Sequence, residues 1–288
     1  MLTRPGGCDN IPKREQKPNK EENEHVRTTA IMNLKGGTAK TVTAINTAAI
    51  LAHDYGERVL LIDADSQANL TEFVGTGNVR QRPEGGISDL LRGDPRPRPV
   101  KTKIRNVELL PADETLMELD VSAAGNGRAD PMALASWLAG AGRERRWDRV
   151  LIDCPPAFSA AAMAALIAAD NVVIPVKLDA FGIRGLANLL EQVHNMQRIN
   201  PDLEIAGVLP TMYYPQPEQA EAMAALRADL SRAQVRTFHQ IARSTKVDSS
   251  TFEQEALIYS HPKTGACRDY RIFVRDLLAL EGGEQDGV

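Results

Sequence analysis

A short segment rich in glycine and lysine, NLKGGTAKT at residues 33–41, has the residue types needed to bind a phosphate group. Glycines such as Gly36 and Gly37 allow backbone N–H groups to curl around an anion. Lys40 would reach the outer phosphates, and the hydroxyl of Thr41 would be a ligand for Mg²⁺. The same letters also fit a plain glycine-rich turn that opens a helix with two solvated lysines. The meaning of the segment therefore depends on its surroundings.

Three aspartates come directly after apolar runs elsewhere in the chain. Asp63 and Asp65 follow VLLI at 59–62, and Asp153 follows VLI at 150–152. Ligands of parallel sheets bind at the carboxyl ends of the strands. Carboxylates at that edge can hold a metal ion and orient a water, which is what phosphoryl transfer requires. A single aspartate in this position often only caps a loop, but three of them beside a phosphate loop favour catalysis.

The elements that must position these residues alternate between strand and helix. A buried strand at 28–32, the glycine-rich loop, a helix with apolar residues three or four apart and a strand at 59–62 make a βαβ unit of roughly 35 residues. The later pattern predicts strands at 107–110, 149–152, 172–176 and 205–209, and helices at 87–91, 113–146, 159–169, 183–198, 217–232 and 268–279. This alternation predicts an α/β fold with a single doubly wound, mostly parallel sheet flanked by helices.

Composition limits the class of protein further. The chain has 288 residues, of which 43% are hydrophobic and 25% charged, as in a globular protein with a sizeable core. The net charge of −4 means that any surface for nucleic acid must be local. Residues 1–26 combine mixed charges with Pro and Gly and predict a flexible tail. The sequence has no apolar run long enough for a transmembrane helix and no apolar region typical of a signal peptide. Its three cysteines form no CxxC pair, so we expect the protein to be located in a reducing cytoplasm.

Five segments carry a family resemblance: KGGTAKTVTAINTAAILA, RVLLIDADSQANLT, WDRVLIDCPPAFS, ADNVVIPVKLDAFGIRGL and NPDLEIAGVLPTMY. Together they resemble the ParA/Soj partition ATPases, within the ParA/Soj/MinD group of deviant Walker ATPases. The loop lacks both glycines of the ordinary G-x-x-x-x-G-K-[ST] pattern and matches the deviant form, which has a second lysine at Lys35. The resemblance implies a ParA-type P-loop ATPase domain over residues 27–288, with ATP and Mg²⁺ as cofactors.

The resemblance also implies a role for each residue of the site. Lys35, Lys40 and Asp65 would be catalytic, with Lys35 reaching across an ATP-bound homodimer and Asp65 positioning the attacking water. Nucleotide contacts are expected from Lys35, Gly36, Gly37, Thr38, Ala39, Lys40, Thr41 and Thr43. Contacts with Mg²⁺ are expected from Thr41, Asp63 and Asp153. The family usually has glycine at the position of Ala39, so a positive φ there would strain the loop.

Basic residues are concentrated in the C-terminal part despite the negative total. One cluster comprises Arg227, Arg232, Arg236, Arg243 and Lys246, and a second comprises Lys263, Arg268, Arg271 and Arg275. Segment 237–247 resembles the family's I-P-R-x-x-R/K motif, with Ala242 at the usual proline, a region that often lies near the adenine. The resemblance implies that the ATP dimer binds nonspecific DNA, through Arg236, Arg243 and Lys246. A ParB-type centromere-binding partner would stimulate hydrolysis and release the DNA. The same charges also fit a solvated helical face.

The main alternative is a MinD-like membrane-associated positioning ATPase. It would need a basic amphipathic helix at the C-terminus, whereas LLALEGGEQD at 277–286 is acidic and interrupted by glycines. Iron–sulfur relatives need paired cysteines, a bacterial tyrosine kinase needs a terminal tyrosine cluster, and a small-molecule ligase on this fold fits the match after Asp65 poorly. We therefore expect a cytoplasmic, nucleoid-associated partition ATPase that does not contact a membrane.

Overall fold

The computed structural model describes residues 26–77, 85–122, 129–143 and 146–281. The predicted tail lies outside these residues except for Val26. The strands are β1 (Arg27–Ile31), β2 (Val59–Asp63), β3 (Val100–Lys101), β4 (Val107–Leu110), β5 (Arg149–Asp153), β6 (Asn171–Lys177) and β7 (Glu204–Thr211). The helices are α1 (Lys40–Asp54), α2 (Asn69–Val74), α3 (Ile87–Leu91), α4 (Leu116–Ser122), α5 (Ala133–Arg143), α6 (Ala160–Ala168), α7 (Ala180–Met196), α8 (Pro217–Arg232), α9 (Thr245–Glu253), α10 (Leu257–Ser260) and α11 (Gly265–Glu281).

The strands form one sheet in the order β3-β4-β2-β5-β1-β6-β7. Its neighbouring strands run parallel, except that β3 is antiparallel to β4. This confirms the predicted doubly wound, mostly parallel sheet. The chain leaves β1 toward β2 on one side and later adds β6 and β7 on the other. The segment after β1 therefore begins at a topological switch point, where sheets of this kind bind ligands.

The register of the central strands brings the predicted aspartates together. Strand β5 lies between β1 and β2, and Asp153 at its end is paired with Ile31 on one side and with Asp63 on the other. The carboxyl ends of the three strands are therefore level. Asp63 and Asp153 are neighbours at the edge from which the glycine-rich loop starts.

Helices cover both faces of the sheet and divide the core into two layers. On β2, Val59 and Leu61 pack in the layer that contains α1 and α11, whereas Leu60 and Ile62 pack in the layer that contains α3, α5 and α6. All four side chains are fully buried. Burial on both faces explains why the strand is a continuous apolar run rather than an alternating one.

The predicted elements agree with the structure, apart from a few short or divided ones. The predicted helix at 113–146 consists of α4 and α5, with residues 123–128 and 144–145 outside the described part. An Asp-Pro pair interrupts it, where the Asp130 side chain accepts a hydrogen bond from the backbone N–H of Met132. The sequence analysis missed β3, α2, α9 and α10, which are short or largely polar. Among the helices of the described segments, none has the length and apolar character needed to cross a membrane.

Candidate nucleotide site

The phosphate loop (residues 33–41) connects β1 to α1 with two residues in the left-handed region. Gly37 has φ of 68°, which glycine adopts without cost. Ala39 has φ of 69° and ψ of 27°, the positive φ that the family's usual glycine suggests. An L-residue pays about 1–2 kcal/mol for this conformation. Ala39 is also the N-cap of α1 and has no side-chain oxygen to cap the helix. The first N–H groups of α1 can therefore serve an anion.

Lys40 is the buried cation of the loop. Its Nζ donates a hydrogen bond to the backbone carbonyl of Lys35 at 3.2 Å, and the Thr38 hydroxyl donates to the same carbonyl at 3.3 Å. Burial lowers the pKa of the Lys40 ammonium, while the nearby carboxyl of Asp153 acts in the opposite direction. The loop thus encloses a positive charge that is poorly hydrated, which favours a phosphate as its counter-ion.

Lys35 has a different environment at the edge of the same loop. Its Nζ forms an ion pair with Oδ1 of Asp179 at 2.7 Å, and both side chains are about one-third exposed. The side chain of Asn33 holds the base of the loop in place. Its Nδ2 donates to the carbonyl of Pro175 at 2.7 Å, and its Oδ1 accepts from the backbone N–H of Lys35 at 2.9 Å. The two lysines are therefore separated into a buried and a surface cation.

Asp153 offers a metal-binding oxygen beside the loop. Its Oδ1 is buried and has no hydrogen-bond partner among the described residues. Burial raises the pKa of the Asp153 carboxyl well above its usual range and the nearby Asp63 adds to this, whereas the Thr41 hydroxyl lowers it. An orphaned carboxylate oxygen next to a hydroxyl suits Mg²⁺, which is usually held by one or two carboxylates plus substrate phosphates. Within the described residues, no group of three or more His, Cys, Asp and Glu could hold a metal ion.

The other two aspartates differ in how their oxygens are used. Oδ2 of Asp63 accepts hydrogen bonds from the backbone N–H and the hydroxyl of Thr71, both at 2.8 Å, and Oδ1 accepts from the N–H of Asp65 at 3.1 Å. Burial raises the pKa of Asp63 to about 6. Asp63 therefore fixes the turn after β2, and its contact with Mg²⁺ stays a prediction. Asp65 is partly exposed and accepts one hydrogen bond from the N–H of Gln67.

A cleft of about 670 Å³ adjoins the phosphate loop, and its lining includes Ala39, Thr211, Ala242, Arg243 and Val247. Its volume is that of a small-molecule site. Ala242, at the position of the family's usual proline, lies in this wall, and its place near the adenine stays a prediction.

Thr43, one of the predicted nucleotide contacts, lies within α1 rather than in the phosphate loop. It is fully buried, and its hydroxyl lies 3.3 Å from the hydroxyl of Tyr270 on α11. Its contact with nucleotide stays a prediction.

The predicted DNA-binding residues lie on a segment beside β7. The backbone of Arg236 hydrogen-bonds to Val208 within β7, whereas that of Arg243 hydrogen-bonds to Tyr213, beyond the end of β7 at Thr211. Lys246 lies near Arg243 in the first turn of α9. The structure therefore brings Arg243 and Lys246 together and separates Arg236 from them.

The charge of these three residues is available to a ligand. All three are exposed and form no ion pair within the part of the chain that the structure describes. In the second basic cluster, by contrast, Arg271 is paired with Asp54 and Arg275 with Asp276. Arg232 of the first cluster is likewise paired with Asp229. The candidates for binding a polyanion are therefore Arg236, Arg243 and Lys246 rather than the whole cluster.

Sequence reasoning missed three residues that hold the site together. Asn33 accepts a hydrogen bond from the backbone N–H of Lys35, and Asp179 accepts one from the Lys35 ammonium. The Thr211 hydroxyl donates to the carbonyl of Thr38 at 3.1 Å. Thr211 ends β7 and Asp179 lies just after β6. Position at the carboxyl end of a strand was the signal that could have identified both.

Comparison with known proteins agrees with this geometry. Residues 26–205 match the AAA_31 family model, an AAA domain. The chromosome-partitioning ATPase Soj of Thermus thermophilus is 40% identical over 189 residues, which is 65% of this chain and 70% of the relative.

Two solved structures with bound nucleotide share the fold. Cobyrinic acid a,c-diamide synthase of Mycobacterium smegmatis, with an ATP analog and magnesium bound, has 28% identity and a TM-score of 0.75, covering 90% of this chain and 97% of the other. A Cyanothece McdA variant in complex with ATP has 25% identity and a TM-score of 0.74, covering 88% and 97%. The family model, the relatives and the loop with two lysines agree: the chain belongs to the AAA_31 family and is a ParA/Soj-type ATPase.

Proposed function

We propose that this ATPase partitions DNA by switching between a nucleotide-dependent dimer that binds DNA and a form that releases it. The observation that carries the proposal is the loop with two lysines, Lys40 buried under the loop and Lys35 at its edge, beside the orphaned oxygen of Asp153. A single buried lysine would suffice for an ordinary P-loop enzyme. A second lysine at the surface is suited to a nucleotide bound by a neighbouring subunit.

The proposal assigns a task in hydrolysis to the central residues of the site. The N–H groups at the start of α1 and the Lys40 ammonium would hold the phosphates of ATP. Thr41 and Asp153 would hold Mg²⁺, which neutralises negative charge on the phosphates. Asp65 would orient a water for attack on the γ-phosphorus. The bond from that phosphorus to the bridging oxygen breaks, and ADP and inorganic phosphate leave.

The dimer and its DNA contact extend this scheme. Lys35 would reach the nucleotide of a second copy of the chain, in the way that an arginine finger acts in trans. Arg236, Arg243 and Lys246 would then bind DNA phosphates without sequence preference. A ParB-type partner would accelerate hydrolysis and so end DNA binding. This cycle would place the protein on the nucleoid in the cytoplasm.

Size-exclusion chromatography with light scattering tests the switch. Wild type and Asp65→Ala are measured with ADP and with ATP–Mg²⁺, and DNA binding is measured on the same samples at low salt. We expect a dimer with ATP–Mg²⁺ that persists in Asp65→Ala and binds DNA. Asp202→Ala is the matched control, because Asp202 is exposed and precedes β7, at the opposite end of the sheet. A monomer in every condition, or DNA binding indifferent to nucleotide, would refute the proposal.

A second assay distinguishes the proposed DNA-partitioning ATPase from a MinD-like membrane-associated ATPase. Sedimentation with vesicles that contain anionic lipid would recover such a protein in the pellet with ATP. We expect this chain to stay in the supernatant under the same conditions.

A further inference from the structure

Two clefts meet at the amino ends of β2, β4 and β5, the opposite end of the sheet from the phosphate loop. The first cleft has a volume of about 580 Å³ and lies between α5 and the segment that follows α3. Its lining includes the apolar side chains of Leu90, Pro95, Ala133, Trp137 and Trp147. The centroids of the two tryptophan rings are 5.7 Å apart. A concave site of this size with aromatic walls can bury a bulky apolar group.

The second cleft has a volume of about 390 Å³ and is basic. Its charged lining comprises Arg58, Lys101, Arg105, Arg146 and one carboxylate, Glu108. Arg58 and Arg146 each form an ion pair with a carboxylate. Lys101 and Arg105 are exposed and form no ion pair with any residue that the structure describes. The cleft therefore has an excess of positive charge, which an acidic ligand would neutralise.

Arg146 and Trp147 line both clefts and join them into one groove. The Arg146 guanidinium lies over the Trp147 ring, 4.6 Å from its centroid. Glu108 on β4 accepts hydrogen bonds from Nε1 of Trp147 at 2.8 Å and from Nε of Arg146 at 3.1 Å. These contacts fix the wall that the two clefts share. The groove therefore presents an apolar half and a basic half in a set arrangement.

We propose that this groove binds an extended segment of a partner protein, in which a bulky apolar residue is followed by acidic residues. The apolar residue would fill the cleft beside Trp137, and the acidic residues would contact Lys101 and Arg105. Duplex DNA fits less well, because it has no apolar group for the first cleft, where Asp94 and Asp130 would repel phosphates. The groove is remote from the nucleotide site, so the inference goes beyond the proposed function and does not depend on it.

Selection from a random peptide library displayed on phage, with the full chain as bait, tests the chemistry of the ligand. Enriched peptides should combine a bulky apolar residue with several acidic ones. Trp137 and Trp147 are the two tryptophans of the chain, so binding of a selected tryptophan-free peptide should change the intrinsic fluorescence of the protein. Added salt should weaken this binding, because Lys101 and Arg105 are exposed. Enrichment of no peptide, or of peptides without acidic residues, would overturn the proposal.

Variants of the two halves locate the bound peptide. Lys101→Glu combined with Arg105→Glu should weaken its binding by about fivefold or more, since both charges are reversed. Gly140→Gln should weaken it by about tenfold or more, because the new side chain would occupy the apolar cleft. Gly185→Gln on α7 and Arg198→Glu after α7 are the matched controls and should bind the peptide as wild type does. Unchanged binding in either groove variant would overturn the proposal.

The Gly140→Gln protein is expected to fold. A Cβ at this exposed position of α5 meets no atom within 4 Å, and glutamine favours a helix more than glycine does. Urea unfolding should therefore show a variant at least as stable as wild type, so that lost binding reports the filled cleft.

The same fluorescence distinguishes other occupants of the groove. A change on adding duplex DNA that is lost in the Lys101→Glu, Arg105→Glu protein would assign the groove to nucleic acid. A change on concentrating the protein alone would assign it to a second copy of the chain. Either result would overturn the proposal. The measurements are made without nucleotide, so they do not depend on whether ATP drives a dimer.

Discussion

The hydroxyl of Thr211, the last residue of β7, donates a hydrogen bond of 3.1 Å to the backbone carbonyl of Thr38 in the phosphate loop. Both side chains are buried, and 173 residues separate them in sequence. Strand β7 is at the edge of the sheet and does not neighbour β1. The bond thus ties the loop to a strand beyond its immediate neighbours and fixes one wall of the adjoining cleft.

Replacing Thr211 with valine keeps the shape and removes the hydroxyl. We expect Thr211→Val to lower the free energy of unfolding by about 1 kcal/mol and to weaken binding of an ATP analogue a few-fold, because the Thr38 carbonyl loses its donor. Urea unfolding and calorimetric titration measure the two effects. Thr47→Val is the control, since the buried Thr47 hydroxyl has no partner among the described residues. Thr47→Val should leave the free energy of unfolding unchanged or raise it. If it lowered that free energy as much as Thr211→Val does, the effect of Thr211→Val could not be attributed to the hydrogen bond with Thr38.

Ala39→Gly should relieve strain in the phosphate loop. The left-handed conformation at φ of 69° costs an L-residue about 1–2 kcal/mol, against roughly 0.4–1 kcal/mol of extra chain entropy that glycine brings to the unfolded state. A net gain between zero and about 1.6 kcal/mol in the free energy of unfolding follows, together with equal or tighter ATP binding. Gln234→Gly, in the exposed turn after α8 at φ of 57°, should give a similar gain and leave ATP affinity unchanged. A loss of stability in Ala39→Gly would show that residue 39 is not strained.

The sequence was sufficient for features set by local pattern. Apolar runs that end in aspartate predicted β2 and β5 and the level ends that carry Asp63 and Asp153, since strands buried on both faces leave such runs. The family's usual glycine likewise pointed to a positive φ at Ala39.

What the sequence did not predict depends on contacts between distant parts of the chain. The bond from Thr211 to Thr38 has no local signature. The occupation of both Asp63 oxygens by Thr71 and Asp65 depends on how tightly the turn after β2 closes. Helix α9 buries only one residue, Ser250, so no apolar period marked it. Its Ser244 cap was the available signal.

Asp153→Asn should raise the stability of the protein and weaken its binding of ATP–Mg²⁺. Burial raises the pKa of this carboxyl, so the native state binds more protons than the unfolded state at pH values between the two pKa values. Wild-type stability due to this group therefore falls as the pH rises above about 4, whereas the asparagine variant does not titrate. We expect urea unfolding to show a more stable Asp153→Asn protein at about pH 8 and a smaller difference at about pH 5.

The same variant should bind ATP–Mg²⁺ much more weakly than wild type, because the metal loses its carboxylate. When ATP is titrated in the presence of EDTA, without free Mg²⁺, the difference in ATP affinity between Asp153→Asn and wild type should become smaller. Asp202→Asn, at an exposed site, is the matched control and should behave as wild type in both assays. A variant less stable than wild type at about pH 8, or one with unchanged ATP–Mg²⁺ affinity, would contradict the role given to Asp153.

Arg236 and Arg243 are both expected to bind DNA, but only Arg243 lines the cleft beside the phosphate loop, so we expect their alanine variants to differ in ATP affinity. Arg236→Ala and Lys246→Ala should weaken binding of the ATP-bound protein at all sequences, and each should reduce the slope of log K against log salt by about 1, because each removes one phosphate contact. Arg243→Ala should also lower ATP affinity, since Arg243 lines the cleft beside the loop. Fluorescence anisotropy over a salt series, in an Asp65→Ala background, measures the slopes. Arg198→Ala, at an exposed site after α7, should keep the slope of the parent protein. If Arg236→Ala and Lys246→Ala also kept the parent slope, the DNA surface would lie elsewhere.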